Sequence, residues 1–164
     1  MAQYVINDGV CTIPQGTTII PDSAFSDQKW LDSKELNSVI IPETVTSIGS
    51  CAFFGCENLT SIMLPSSLTE IGEYAFYGCK KLTSIIIPNS VVEIGQAAFE
   101  CCKSLKTITL PASLTKIGIS QFFYCYALKS IFVPDNRVEF FKKALIDKGA
   151  FLNEPHPQIL ALKE

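Results

Sequence analysis

Charge is scarce in this chain. Only 18% of its 164 residues are charged, 13 Lys and Arg against 16 Asp and Glu, for a formal net charge of -3. Binding to nucleic acid calls for a basic excess on one face, so no nucleic-acid partner is expected. Histidine occurs once, as His156 between two prolines. That leaves no Cys/His grouping at zinc-ligand spacing and no histidine beside a cysteine for a nucleophilic pair. Long apolar runs are missing too. Hydrophobic residues make up 48% of the chain, yet no run approaches the roughly 20 apolar residues of a membrane helix. The opening residues Met1 to Ile6 have neither the basic nor the apolar region of a signal peptide. The expectation is a cytosolic chain or a trimmed mature form. There is no Walker loop or dinucleotide-binding glycine fingerprint, and the scattered acidic residues form no glycosidase pair. No catalytic residue, metal site or cofactor is expected.

What the chain does have is a period. Pro42, Pro65, Pro88, Pro111 and Pro134 stand 23 residues apart, which marks one supersecondary unit stacked on its copies. Four full units run over 36–58, 59–81, 82–104 and 105–127. A half-unit from Ile13 to Leu31, with about five extra residues before Pro42, precedes them. Leu128 to Pro134 follows as an outgoing half-unit. The expected organisation is a single domain over 1–164, with an N-terminal cap and half-repeat at 1–35, repeats at 36–127 and a last half-repeat and cap at 128–164.

Each unit carries a short alternating stretch, such as Ile62-Met63-Leu64, which has the period of a strand with one buried face. Pro65 ends it, having no amide hydrogen for a ladder. A second extended stretch through Leu68 and Ile71 closes at Gly72, where glycine is expected to permit a turn. Ala75-Phe76-x-x-Cys79 has helical-turn spacing, which puts Phe76 and Cys79 on one side. Stacking at about 4.8 Å would align Phe53, Phe76, Phe99 and Phe122 as an aromatic spine beside Ala52, Ala75 and Ala98. Gln121 replaces the fourth alanine and predicts looser packing there. Of the seven cysteines, Cys56, Cys79, Cys102 and Cys125 share the period and are expected as buried free thiols. Cys101 stands where Gly55 and Gly78 do, with an outward, reactive placement left open.

Both ends differ from the repeat. Asn7-Asp8-Gly9 predicts a hairpin over the front. Asn136 with Glu139 reads as a helix start and Gly149 as a stop, with Val138, Phe141 and Leu145 on one face. Glu154 to Pro157 reads as a loop, and Ile159–Leu162 as either a final strand or a mobile end.

The string Leu-x-Ser-Ile-x-Leu/Ile-Pro-x-Ser-Val/Leu-x-x-Ile-Gly-x-x-Ala-Phe-x-x-Cys, clearest at Leu59–Cys79 and Leu82–Cys102, resembles the BspA-like branch of leucine-rich repeats. The likeness covers roughly Thr12 to Pro134. It implies an α/β repeat fold: a right-handed leucine-rich-repeat solenoid with short strands per coil, an N-terminal hairpin cap and a C-terminal helical cap. The first strand would line its concave side. It also implies a cell-surface or secreted protein that binds other proteins in adhesion and recognition. The alternative expectation is a structural spacer or self-association unit of a larger surface protein.

The outward row two residues before each proline holds Ile40, Met63, Ile86, Thr109 and Phe132. Exposed apolar patches often mark interaction sites, so a protein partner on this stripe is one reading. A strand-propensity surface, or a stripe covered by self-contact in a monomer or weak oligomer, is the other. The parallel row Ser38, Ser61, Ser84, Thr107 and Ser130 reads as a hydroxyl ladder serving the stack. Phe54, Tyr77 and Phe123, with Glu100 between them, form a secondary aromatic row suited to an interface or to packing over neighbouring coils. The lysines at 80, 81, 103, 106 and 129 read as a solvated flank.

Overall fold

The structure, a computed structural model, describes residues 4–26, 35–151 and 156–162. Leu31, the extra residues before the first full unit, and Glu154 with Pro155 lie outside them. Each coil contributes one strand to a first row and one to a second. The first row comprises β1 (Ile6–Asn7), β2 (Val10–Thr12), β4 (Ser38–Ile40), β6 (Ser61–Ile62), β8 (Ser84–Ile86), β10 (Thr107–Thr109), β12 (Ser130–Val133) and β13 (Gln158–Ala161). The second comprises β3 (Ile19–Ile20), β5 (Ser47–Ile48), β7 (Glu70–Ile71), β9 (Glu93–Ile94) and β11 (Lys116–Ile117). Second-row pairing is parallel throughout, in the order β11-β9-β7-β5-β3. The first row forms two sheets, β1-β2-β4-β6 and β13-β12-β10-β8.

Like residues stack on like. The spine runs from Phe25 through Phe53, Phe76 and Phe99, with near-parallel rings 5.1, 5.2 and 5.4 Å apart. Tyr4 packs at its front and Phe151 at its back. The step from Phe99 to Phe122 widens to 6.3 Å beside the fully buried Gln121, in keeping with the looser packing expected there. Gln121 Nε2 donates to the Gly95 carbonyl at 2.5 Å, but its Oε1 has no partner among the described residues.

All seven cysteines are free thiols. The ladder members Cys56, Cys79, Cys102 and Cys125 each donate from Sγ to the carbonyl of the phenylalanine one coil back, at 3.1, 3.4, 3.2 and 3.0 Å. Burial pushes the Cys79 and Cys102 thiols well above their ordinary pKa. Such thiols are poor nucleophiles. A hydroxyl ladder serves the stack as well, though it follows the prolines: Ser67, Ser90 and Ser113 donate to the carbonyls of Val45, Leu68 and Val91 at 2.6, 2.5 and 2.6 Å.

The repeated glycine acts differently from expectation. Gly49, Gly72, Gly95 and Gly118 do not take up positive φ. They sit where a side chain would strike the preceding coil: a Cβ on Gly95 would lie 2.5 Å from the Glu73 nitrogen, and one on Gly72 2.6 Å from that of Ser50. Left-handed geometry falls two residues later, at Cys51, Tyr74, Ala97 and Ser120, with φ of 56, 55, 51 and 57°.

At the front, β1 and β2 pair antiparallel around Asp8 and Gly9, both at positive φ, the geometry of a tight hairpin turn. At the back, a 3-10 turn at Asp135–Arg137 leads into α1 (Val138–Asp147), which buries Phe141 and Leu145. Asn136 does not cap this helix. Arg137 holds that place, and its guanidinium donates to the carbonyls of Ala112 at 2.5 Å and Leu114 at 2.9 Å. At Leu114 it takes the place that the next coil's serine holds at Val45, Leu68 and Val91. Gly149, at φ 53°, stops the helix, and β13 returns in parallel beside β12.

Candidate functional site

The expected stripe follows from strand alternation. In β4, β8 and β10 the middle residues Val39, Ile85 and Ile108 are buried, so the residues after them point outward. Ile40, Met63 and Ile86 are 57%, 86% and 70% exposed, while Thr109 and Phe132 are half-buried. Strand register sets Thr12 beside Ile40, Thr109 between Ile86 and Phe132, and Leu160 beside Phe132. Leu160 thus extends the row. Its only signal in the sequence was a short apolar stretch at the C-terminal end.

The row is not uniform. Where coils meet in register, the amide after the strand donates to the next coil: Ile13 to the Ile40 carbonyl at 2.9 Å, Ile87 to Thr109 at 3.0 Å and Leu110 to Phe132 at 2.8 Å. Among the described residues, the equivalent amides of Ile41 and Leu64 make no such bond. Pairing of β4 with β6 stops at Val39 and Ile62, and β6 and β8 lie side by side without pairing. A groove of about 350 Å³ opens between β4 and β6, lined by Ile40, Ile41, Met63, Leu64 and Glu43 among others. Of Ile40, Met63, Ile86, Thr109 and Phe132, Met63 alone is neither β-branched nor aromatic, and such residues are the weaker strand formers.

The secondary row is only partly assembled. Phe54 and Tyr77 stack at 4.7 Å with planes 6° apart, a packing contact between coils. Phe123 instead meets the Tyr124 ring edge-on at 6.3 Å, and Tyr124 meets Tyr126 in the same way at 6.1 Å. Hydrogen bonding with the Cys101 side chain, followed by burial and by charges on Cys101, Glu100 and Tyr124, pushes the Tyr77 phenol up to about 12. Burial raises the Glu100 carboxyl. Cys101 is half-buried, and its φ of 61° matches the left-handed geometry of Gly55 and Gly78.

On the flanks Lys80 pairs with Glu57 at 2.6 Å and Lys116 with Glu93 at 2.9 Å. Exposed pairs of this kind contribute about 0–1 kcal/mol. Among the described residues no group of three or more His, Cys, Asp or Glu is placed to hold a metal ion, and no helix is long and apolar enough to cross a membrane.

Comparison with known proteins agrees with this geometry. The BspA type Leucine rich repeat region matches residues 18–153 in six copies. A leucine rich repeat protein of T. pallidum superposes with a TM-score of 0.68 at 33% identity, covering 79% of this chain and 67% of that one. A leucine rich cell surface protein of Faecalibacterium prausnitzii gives a TM-score of 0.73 at 37% identity, over 82% of this chain and 34% of its own. A pneumococcal vaccine antigen gives 0.71 at 20% identity, over 96% of this chain and 42% of that one, a likeness of fold alone. This chain thus spans about a third to two thirds of the length of these proteins. No curated protein sequence matches it. With the repeat, the stacked coils and the family match in agreement, the chain belongs to the BspA type leucine rich repeat family.

Proposed function

We propose that this chain is a non-catalytic protein-binding module that serves adhesion or recognition, with the outer face of the first strand row as its contact surface. The observation that carries the reading is the exposure of Ile40, Met63 and Ile86 in neighbouring coils. Monomeric surfaces rarely leave large apolar side chains contiguous. Thr109 and Phe132 continue the surface, and Phe54, Tyr77 and Phe123 are left to packing. A place at the cell surface is part of the proposal, supported by the relative from Faecalibacterium prausnitzii that is described as a cell surface protein.

The test is a panel of extracellular-matrix and host-surface proteins, probed with the wild-type chain and with a Met63→Lys, Ile86→Lys variant. Binding should be lost in the variant while its melting temperature stays unchanged. Binding retained by the variant would move the site off this face. A second reading makes the module a spacer or self-association unit, favoured by its spanning 34% of the Faecalibacterium protein. Light scattering that shows oligomers growing with concentration would favour it, and strict monomers would count against it.

A further inference from the structure

We infer that the groove between β4 and β6 is the anchor point of this face, and that it takes a segment of a partner protein carrying a bulky apolar side chain next to a basic one. The inference rests on the protein-binding reading and narrows it.

Four features of the groove agree. Its volume, about 350 Å³, falls at the small end of ligand pockets, which run from about 300 to 1,000 Å³; this is room for an anchor side chain. Its walls are apolar, formed by Ile40, Ile41, Met63 and Leu64. The amide of Ile41, which in a closed ladder would donate across to β6 and is left out of the interrupted one, is a donor that an extended peptide backbone can satisfy. The charge of the groove is of one sign. Glu43 is its single ionisable lining residue, and Oε2 of that carboxylate accepts from the Ser66 amide at 2.9 Å and the Ser66 hydroxyl at 2.7 Å. Those bonds hold a negative charge beside an apolar slot, which selects a cation next to an apolar group.

The test uses the isotope-labelled chain and two peptides, N-acetyl-Trp-Lys-amide and N-acetyl-Trp-Glu-amide, titrated into the millimolar range by NMR. The lysine peptide should shift and saturate the amides of Ile41, Met63 and Leu64. The glutamate peptide should bind about two- to fivefold more weakly, the worth of an exposed ion pair. Glu43→Gln, which keeps an acceptor for Ser66, should erase that difference while leaving resonances outside the groove in place. Equal binding of both peptides to the wild-type chain overturns the inference, as does the absence of any shift at the groove. Shifts confined to Ile86 through Phe132 would overturn it too, yet leave the broader face standing. Ile86→Lys alone, at a residue outside the groove lining, tests that face independently. A concentration-dependent dimer that the lysine peptide disperses would assign the groove to a second copy and overturn the partner.

Discussion

In the second strand row every coil from Ile19 to Ile117 pairs with the next, whereas in the first row the pairing of β4 with β6 stops short of Ile40 and Met63, and β6 does not pair with β8. The same coils build both rows, and their buried residues repeat equally well. The second row holds although Glu70 and Glu93 face one another across it, a like-charge pairing that weakens a sheet. Its advantage is the glycine that follows, where each backbone lies against the coil before. The first row has no such lock, so the preference of the outward side chain decides. At Ile86, Thr109 and Phe132 it favours a strand and the ladder closes. At Met63 it does not, and the ladder parts.

Gly95→Ala attacks the stronger row and should have the largest effect. Its Cβ would collide with backbone rather than with a movable side chain, so a loss of about 2–3 kcal/mol is expected, read from urea unfolding. A loss below half of that would show that the glycine lock is not what holds the row. Ser90→Ala removes a hydroxyl that ties one coil to the next, and should cost about 1 kcal/mol. An unchanged midpoint would make the hydroxyl ladder passive. The smallest change, Met63→Ile, should repair the weaker row and raise stability by about 0.5 kcal/mol. Hydrogen exchange provides the sharper reading: in the wild-type chain the amides of Ile41 and Leu64 should exchange faster than those of Ile87 and Leu110, and Met63→Ile should slow Leu64. Equal protection in the wild-type chain would mean that the first row is closed in solution.

Much of this architecture was legible from the period alone. The proline spacing, the phenylalanine spine, the free cysteine ladder and the outward placement of Ile40, Met63 and Ile86 follow from stacking like on like. The function of Gly72 was not legible, because a glycine needed for close approach looks the same in sequence as one needed for a turn. Asn136 has the chemistry of a helix cap, but Arg137 displaces it by reaching the carbonyls of the last coil. The opening at β6 had one faint sign, a methionine between Ile40 and Ile86 in a stripe that continues with Thr109 and Phe132. Its consequence depends on backbone bonds that no single position encodes.

Nearly every contact that ties one coil to the next joins residues 22 to 28 apart, as Ser67 to Val45 and Cys79 to Phe53 do. Losing one residue would therefore throw every later coil out of phase. Losing Leu59 to Lys81 as a block would seat Leu82 where Leu59 stood and hand Phe53 a new neighbour in Phe99. The natural unit of length variation in such a chain is the whole coil, added or removed without a new fold being invented. That particular excision would also bring Ile86 beside Ile40 and erase the groove, so a change in the number of coils would rewrite the surface while sparing the stack.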